Sequence, residues 1–308
     1  MGRYVARRLL QMIPVVIGTT FLIYALVWAL PGDPFAGKCG DRPCPPDYVA
    51  AMTAKFNLDE PLPVQYVAYL GRLVRGDFGE TFSGVSVADA LVRVFPTTVK
   101  LALLAIAIEV AIGIAAGVVA AIRRGSFADT LVLVSTLVVI SVPVFVIGYA
   151  LQFMLGVNLG LFPVTVSPEA TVFELILPAF VLASTSLAYV ARLMRANLAE
   201  NLRADFVRTA TSKGLSRRRV VGVHTLRASV IPVVTFIGAD LGALLGGSIV
   251  VEGIFNIDGV GGLIFGSIRR YEGAMVTGAV TVLVLVFLLV NLLVDLLYAV
   301  LDPRIRYD

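Results

Sequence analysis

The chain has 308 residues, 58% of them hydrophobic and only 15% charged, with a mean hydropathy of +0.91. Soluble domains carry about 25% charged residues, so this composition excludes an ordinary water-soluble enzyme or binding module. The net charge is +4, and one histidine with two cysteines leaves too few ligands for a tetrahedral zinc site.

About 20 apolar residues at ~1.5 Å rise cross a hydrocarbon core, and six such runs stand out: Leu9–Leu30, Val99–Ile122, Thr130–Leu155, Leu175–Ala191, Ala228–Val251 and Ala274–Leu301. No strand-like alternation of the outer-membrane barrel kind competes. The expectation is an all-α integral membrane protein with six transmembrane helices. Four segments follow from it: residues 1–30 (cytoplasmic N-terminus and first helix), 31–97 (extracytoplasmic), 98–301 (helices two to six) and a tail of 302–308.

The first run follows Arg3, Arg7 and Arg8, like the n-region of a signal peptide. Its apolar part exceeds the 7–15 residues of a cleaved h-region, and it reads as an uncleaved anchor. Just beyond it, "GDPFAGKC" (Gly32 to Cys39) nearly spells a phosphate-binding loop. Cys39 stands where the magnesium-binding hydroxyl belongs, and Pro34 removes one of the needed N–H groups. Nucleotide binding is therefore not expected there. Cys39 and Cys44 lie on the expected outer side, a compartment that permits a disulfide; two free thiols are the alternative. From Val64 to Val74 apolar residues recur at helical spacing, ending at Gly76 and Gly79, which suit turns. The 31–97 segment is expected to be a small, mostly helical outer subdomain.

Charges inside apolar runs are costly and usually face the bundle interior. Glu109 in the second run, Asp240 in the fifth and Asp295 in the sixth are accordingly candidates to line a pathway or to pair helices. Gly113 and Gly117 read as packing positions, and Pro143 is expected to kink the third helix. The fourth run is the shortest and holds Ser184, Thr185 and Ser186, so it is expected to face protein rather than lipid.

Between runs four and five lies "DFVRTATSKGLSRRRVVGVHTLRASVIPV", starting at Asp205. It reads as two short helices. The first runs from Asp205 to Ser212, with Lys213 as last-turn cation and Gly214 as C-cap; a second restarts after Ser216, a candidate N-cap. Pro232 falls inside the fifth membrane helix. An elbow interrupted by glycine suits a knob that enters a partner's groove, whereas a lipid-surface helix needs no such break. Farther on, Gly238, Gly242 and Gly246 recur every four residues, a spacing that lets membrane helices approach closely, either within the chain or against a partner. His224 carries no assigned role.

Orientation follows from basic residues. Arg3, Arg7, Arg8, Arg123, Arg124, nine between Arg192 and Arg227, and Arg304 and Arg306 lie on one side, 16 of the 25 Lys and Arg. That side, with both termini and the elbow, is expected to be cytoplasmic.

The elbow resembles the EAA loop of ABC-importer permeases, in the form typical of the peptide and nickel group. Thr209–Ala210, Gly214 and Ile231–Pro232 occupy that loop's positions, with "RTA" (Arg208, Thr209, Ala210) in place of Glu-Ala-Ala. "LPGDP", "LPVQY…LGRLVRGDFG", "VEGIFNIDGVGGLI" and the closing "LDPRIRY" extend the likeness over essentially the whole chain. The resemblance implies a B-type permease subunit of a bacterial dipeptide or oligopeptide importer in the plasma membrane. Its partners would be a second permease subunit, two cytoplasmic ATPase subunits, an extracytoplasmic substrate-binding protein and a peptide substrate, with no nucleic acid, cofactor or metal. Within the loop 192–227, Asp205, Phe206, Arg208, Thr209, Ala210, Lys213, Gly214 and Leu215 would meet the ATPase. Nickel chelates or haem are alternative cargoes, and a stand-alone secondary transporter is a further alternative. No nucleophile–base arrangement supports an enzyme.

Overall fold

The computed structural model describes residues 2–28, 35, 38–40 and 43–301. The "LPGDP" stretch, most of the Gly32–Cys39 loop, Arg304, Arg306 and the tail 302–308 lie outside these residues.

Helix α1 (Gly2–Trp28) is followed by α2 (Pro46–Phe56) and α3 (Leu62–Leu73). Both short helices carry proline in the first turn, where its missing N–H would have had no intrahelical partner. Cys39 and Cys44 are disulfide-bonded. Beside them, Lys38 pairs with Glu272 at 2.6 Å and donates to the Arg270 carbonyl at 3.0 Å. Helix α3 reverses the expected arrangement. It buries Gln65, Tyr66 and Tyr69 and leaves Val64, Val67 and Val74 exposed. The apolar spacing was legible, but its face turns outward because the three polar-tipped side chains find partners on α1 and at the far end of the chain.

Helix α4 (Val87–Ile108) begins twelve residues before the expected Val99, capped by Ser86, whose hydroxyl accepts from the Asp89 N–H. Arg93 and Pro96 masked this start in the sequence. A π-helical turn, Glu109–Gly113, carries α4 into α5 (Ile114–Ile122). The expected third helix is two: α6 (Phe127–Ser141) and α7 (Val144–Leu151), bent by 105°. Pro143 sits at the break and forces Val142 into an extended conformation. A second π turn, Gln152–Asn158, ends α7.

Helix α8 (Val172–Asn201) is much longer than the expected Leu175–Ala191. A capping box starts it: Thr171 accepts from the Glu174 N–H while the Glu174 carboxylate accepts from the Thr171 N–H. Helix α9 (Asp205–Ser212) forms the first half of the elbow. The expected second elbow helix is no separate element. Its one-turn α10 (Arg217–Arg219) runs through a third π turn, Val220–Thr225, straight into α11 (Leu226–Phe255). Helix α12 (Val260–Arg269), unforeseen, folds back at 75° from the end of α11, and α13 (Gly273–Leu301) closes the chain. Among the described residues five helices are long and apolar enough to cross a membrane, and up to seven crossings result if each bent pair is one. The expected six lies within that range.

Helix α8 is the hub, packed by α4, α5, α6, α7 and α11. Small residues set its close approaches. A Cβ at Gly113 would fall 2.7 Å from Val190, and one at Gly117 would fall 2.6 Å from the Ala191 carbonyl. Asp129 of α6 receives a bidentate fork from Arg195 of α8 at 2.7 and 2.9 Å, a geometry that fixes both distance and angle.

The bend between α11 and α12 is built around Glu252, fully buried. Its carboxylate accepts from Thr98 of α4 at 2.8 Å and from the Gly262 N–H at 2.9 Å, and the Thr98 hydroxyl in turn accepts from the Val260 N–H. The carboxylate thus serves as acceptor for an N–H group at the start of α12 that has no partner within the helix. The surrounding glycines leave it room. A Cβ at Gly259 would strike this carboxylate, at Gly261 the Ile249 backbone, and at Gly262 the Ile257 carbonyl. Replacing Thr98 by valine would strand the Val260 N–H and one carboxylate oxygen. The expected cost is about 1–3 kcal/mol, read as a lowered thermal unfolding midpoint relative to Thr98→Ser, which keeps the hydroxyl. Equal midpoints for the two variants would refute this latch.

Candidate functional site: the basic elbow and the buried carboxylates

Helix α9 is short, and its stability comes from its two ends and one apolar face. Val207 and Ala210 bury against Val220 of the third π turn, with Leu215 packed alongside. At the C-terminus the Gly214 N–H reaches the Thr211 carbonyl at 2.9 Å and the Leu215 N–H reaches the Ala210 carbonyl at 3.3 Å. This is the Schellman pattern, with its accompanying hydrophobic contact from Leu215. Gly214 has φ +77°, where glycine pays no Cβ penalty, so the expected C-cap is present. Ser216 occupies the expected N-cap position but makes no side-chain capping bond.

The opposite face is presented outward. Phe206 is 43% exposed, and Asp205, Arg208, Thr209, Lys213 and Gly214 are exposed as well. Arg208 lies 3.6 Å from Asp205 one turn away, a contact between exposed groups that contributes little to stability. The knob therefore shows an aromatic ring and cations over a small apolar base.

That base is tied firmly to the bundle. Asn201, at the end of α8, donates to Ser229 of α11 at 2.9 Å, and Ser229 donates to the Thr225 carbonyl at 2.8 Å. Thr225 bonds the Val220 carbonyl across the π turn at 3.0 Å. Ser229 and Thr225 are both fully buried. Helix α9 thus packs on a π turn that these hydrogen bonds join to the ends of α8 and α11. His224 is exposed at the edge of this region.

Of the three acids singled out inside apolar runs, the structure brings two together. Glu109 lies in the first π turn with no exposure, and neither carboxylate oxygen has a hydrogen-bond partner. Asp240, half-buried on α11, lies close by, and one of its carboxylate oxygens is likewise buried without a hydrogen-bond partner. Asp295 is elsewhere, paired with Arg8 of α1 at 2.5 Å, so it ties α1 to α13. The glycine row does not share one environment. A Cβ at Gly242 would meet Phe287 of α13 at 2.7 Å, whereas Gly246 faces open space and Gly238 is half-buried.

Sequence reasoning passed over Glu252, because the fifth run was ended one residue before it. The signal was a lone acid followed by the Gly-rich "DGVGG", the pattern of a carboxylate capping a tight turn. It also passed over the Asp129–Arg195 fork, whose partners are 66 residues apart and carry no local signature.

Two family models match the chain. "Binding-protein-dependent transport system inner membrane component" covers residues 113–307, and its N-terminal companion covers residues 1–102. The chain is 37% identical to the di/tripeptide transport system permease protein DppB of Pseudomonas aeruginosa, over 99% of this chain and 98% of that protein. It is 36% identical to the dipeptide transport system permease protein DppB of Escherichia coli, over 100% and 99%. The oligopeptide transport system permease protein AppB of Bacillus subtilis is 34% identical over the full length of both. With most of its length matched by these models and full-length relatives above 30% identity, the chain belongs to the family of inner-membrane components of binding-protein-dependent transport systems.

Proposed function

We propose that this chain is a non-catalytic permease subunit of an ATP-driven importer, moving di- or oligopeptides across the bacterial plasma membrane by alternating access. The elbow carries this reading. A capped helix exposes Phe206, Arg208, Thr209 and Lys213, while its base is hydrogen-bonded to both α8 and α11. A switch between two states requires contacts that differ between them, and a rigid knob seated in a moving ATPase groove supplies that difference. The peptide cargo rests on the names of the relatives, all three of them peptide permeases.

In this reading the partners are a second permease subunit, two cytoplasmic ATPases that hydrolyse the nucleotide, and an outer binding protein that delivers the peptide. Both termini and the elbow face the cytoplasm. The segments 1–30, 31–97, 98–301 and 302–308 keep the roles the sequence suggests. Residues Asp205, Ala210, Gly214 and Leu215 join the four exposed side chains at the ATPase interface. Glu109 and Asp240 are the pathway candidates, because they bring unpartnered carboxylate oxygens into the interior of the bundle. Gly238, Gly242 and Gly246 would allow close helix approach beside them.

The test is a tagged chain extracted in mild detergent, with co-isolated proteins identified and dipeptide uptake measured in cells that depend on it. Native chain is expected to bring down ATPases and a second permease. Gly214→Pro fixes φ near −65° where the elbow needs +77°, a strain of ~3 kcal/mol or more. It should lose the ATPases and lower uptake by at least about tenfold. Gly214→Asn tolerates the left-handed conformation and should retain most of both. Isolation of the native chain alone, together with ATP-independent transport, would overturn the assignment. Uptake that nickel chelates or haem compete away, and dipeptides do not, would overturn the cargo alone.

A second expectation concerns packing below the elbow. Gly117→Leu drives a side chain into the Ala191 backbone and Met194, and overpacking of this kind costs about 1–3 kcal/mol. The purified variant should unfold at lower temperature yet still bind ATPases. Loss of ATPase binding at unchanged thermal stability would contradict this separation of bundle packing from the docking surface.

A further inference from the structure

Helix α3 has an outward face made entirely of apolar or side-chain-free residues. Pro63, Val64, Val67, Ala68, Gly71 and Val74 are all exposed, spaced by three or four residues along one side. Val67 is 66% exposed and Val74 88%. In water such a stripe would be an unprotected hydrophobic patch. The buried side is the polar-tipped one. Tyr66 bonds Thr20 and the Ile17 carbonyl of α1, each at 2.8 Å, and Tyr69 bonds Thr281 of α13 at 2.8 Å.

These contacts fix how deep the helix sits. The Tyr66 ring meets the rings of Phe21 and Tyr24, and the Tyr69 ring meets that of Tyr24. Phe21 and Tyr24 precede the end of α1 at Trp28 by about 10 and about 6 Å of helix rise. Thr281 lies about 12 Å along α13 from its start at Gly273. Both α1 and α13 are membrane spans by length and composition. Helix α3 therefore lies beside the last turns of two spans, not above them. Neighbouring α1 also shows apolar side chains outward, with Leu22 and Leu26 58% and 53% exposed. Trp28, Tyr24, Tyr66 and Tyr69 form the amphipathic aromatic cluster found where bilayers meet water. The charges of the segment gather at the helix ends, with Asp59 and Glu60 before it, half-buried Arg72 in its last turn, and Arg75 and Asp77 after it.

We propose that α3 is an interfacial membrane helix, immersed in the leaflet on the side of residues 31–97, with Val64, Val67, Ala68 and Val74 against lipid acyl chains. Helix α3 then lies partly sunk in lipid beside α1 and α13 rather than standing wholly in water. An amphipathic helix in this position buries its apolar face about 5–10 Å into the headgroup–acyl boundary, which agrees with the level set by Phe21 and Tyr24.

Because Cys39 and Cys44 are bonded to each other, Val67→Cys adds one reactive thiol for a bimane label. The full-length chain would be reconstituted in phosphatidylcholine vesicles. Quenching would be compared for lipids brominated near the glycerol end, lipids brominated near the chain end, and aqueous iodide. Ala68→Cys gives a second position on the same face, and Asp47→Cys an exposed reference outside it. The expected result at both positions is stronger quenching by the shallow bromolipid than by the deep one, on the order of twofold for a helix about 5–10 Å deep. Iodide should quench only the Asp47→Cys label. Quenching of the Val67→Cys and Ala68→Cys labels by iodide as at position 47 would place the face in water and overturn the proposal. Failure of all three quenchers at those positions would show a protein surface covering it, and would overturn it equally.

Discussion

A hydrocarbon solvent offers no hydrogen bonds, so a polar group carried into the bundle is costly unless it finds a partner there. That constraint orders this fold more than any apolar contact does, because lipid tails are as apolar as leucine and give helices little reason to associate. Two sets of long-range polar contacts fall where the helices depart from straight rods. Gln152, in the π turn after α7, donates to the carbonyls of Val164 and Ile254, holding a broken backbone against the end of α11. Glu252 and Thr98 do the same for the bend between α11 and α12. The bend thus has a defined angle, since shifting α12 would strand the Val260 and Gly262 N–H groups together.

Around these ties the helices pack by shape. Helix α8 can touch five neighbours because much of its buried surface is alanine and serine, among them Ala179, Ala183, Ser184, Ser186, Ala188 and Ala191. Its sequence looks less like a membrane span than the others for this same reason. Lipid-facing helices need bulk apolar side chains, whereas a central helix needs small ones. The Asp129–Arg195 fork and the Asp295–Arg8 pair then tie α6 to α8 and α1 to α13.

The elbow inherits its stiffness from this arrangement. Three π turns interrupt the helical bundle, and π turns are frequent at functional sites. One carries the unpartnered Glu109, one is held by Gln152, and the third is the floor on which α9 sits. Through Thr225, Ser229 and Asn201 that floor is joined to the two longest helices, α8 and α11. The floor beneath α9 is therefore bonded to two long helices rather than carried on an unsupported loop.

The one-dimensional pattern was enough for the all-helical membrane class, the first elbow helix with its glycine cap, the break at Pro143 and helix α3. Each of these follows from local chemistry: hydropathy summed over a window, a residue that must adopt positive φ, a missing N–H. The sequence also showed that α3 has an apolar stripe, but not which way it points. That depends on Thr20, Ile17 and Thr281, far away in the chain, offering partners to Tyr66 and Tyr69. The same reason hid the role of Glu252, the Asp129–Arg195 fork and the meeting of Glu109 with Asp240. Periodicity reports what one segment prefers by itself; the direction a face turns and the partner a buried charge finds are settled only when distant segments pack.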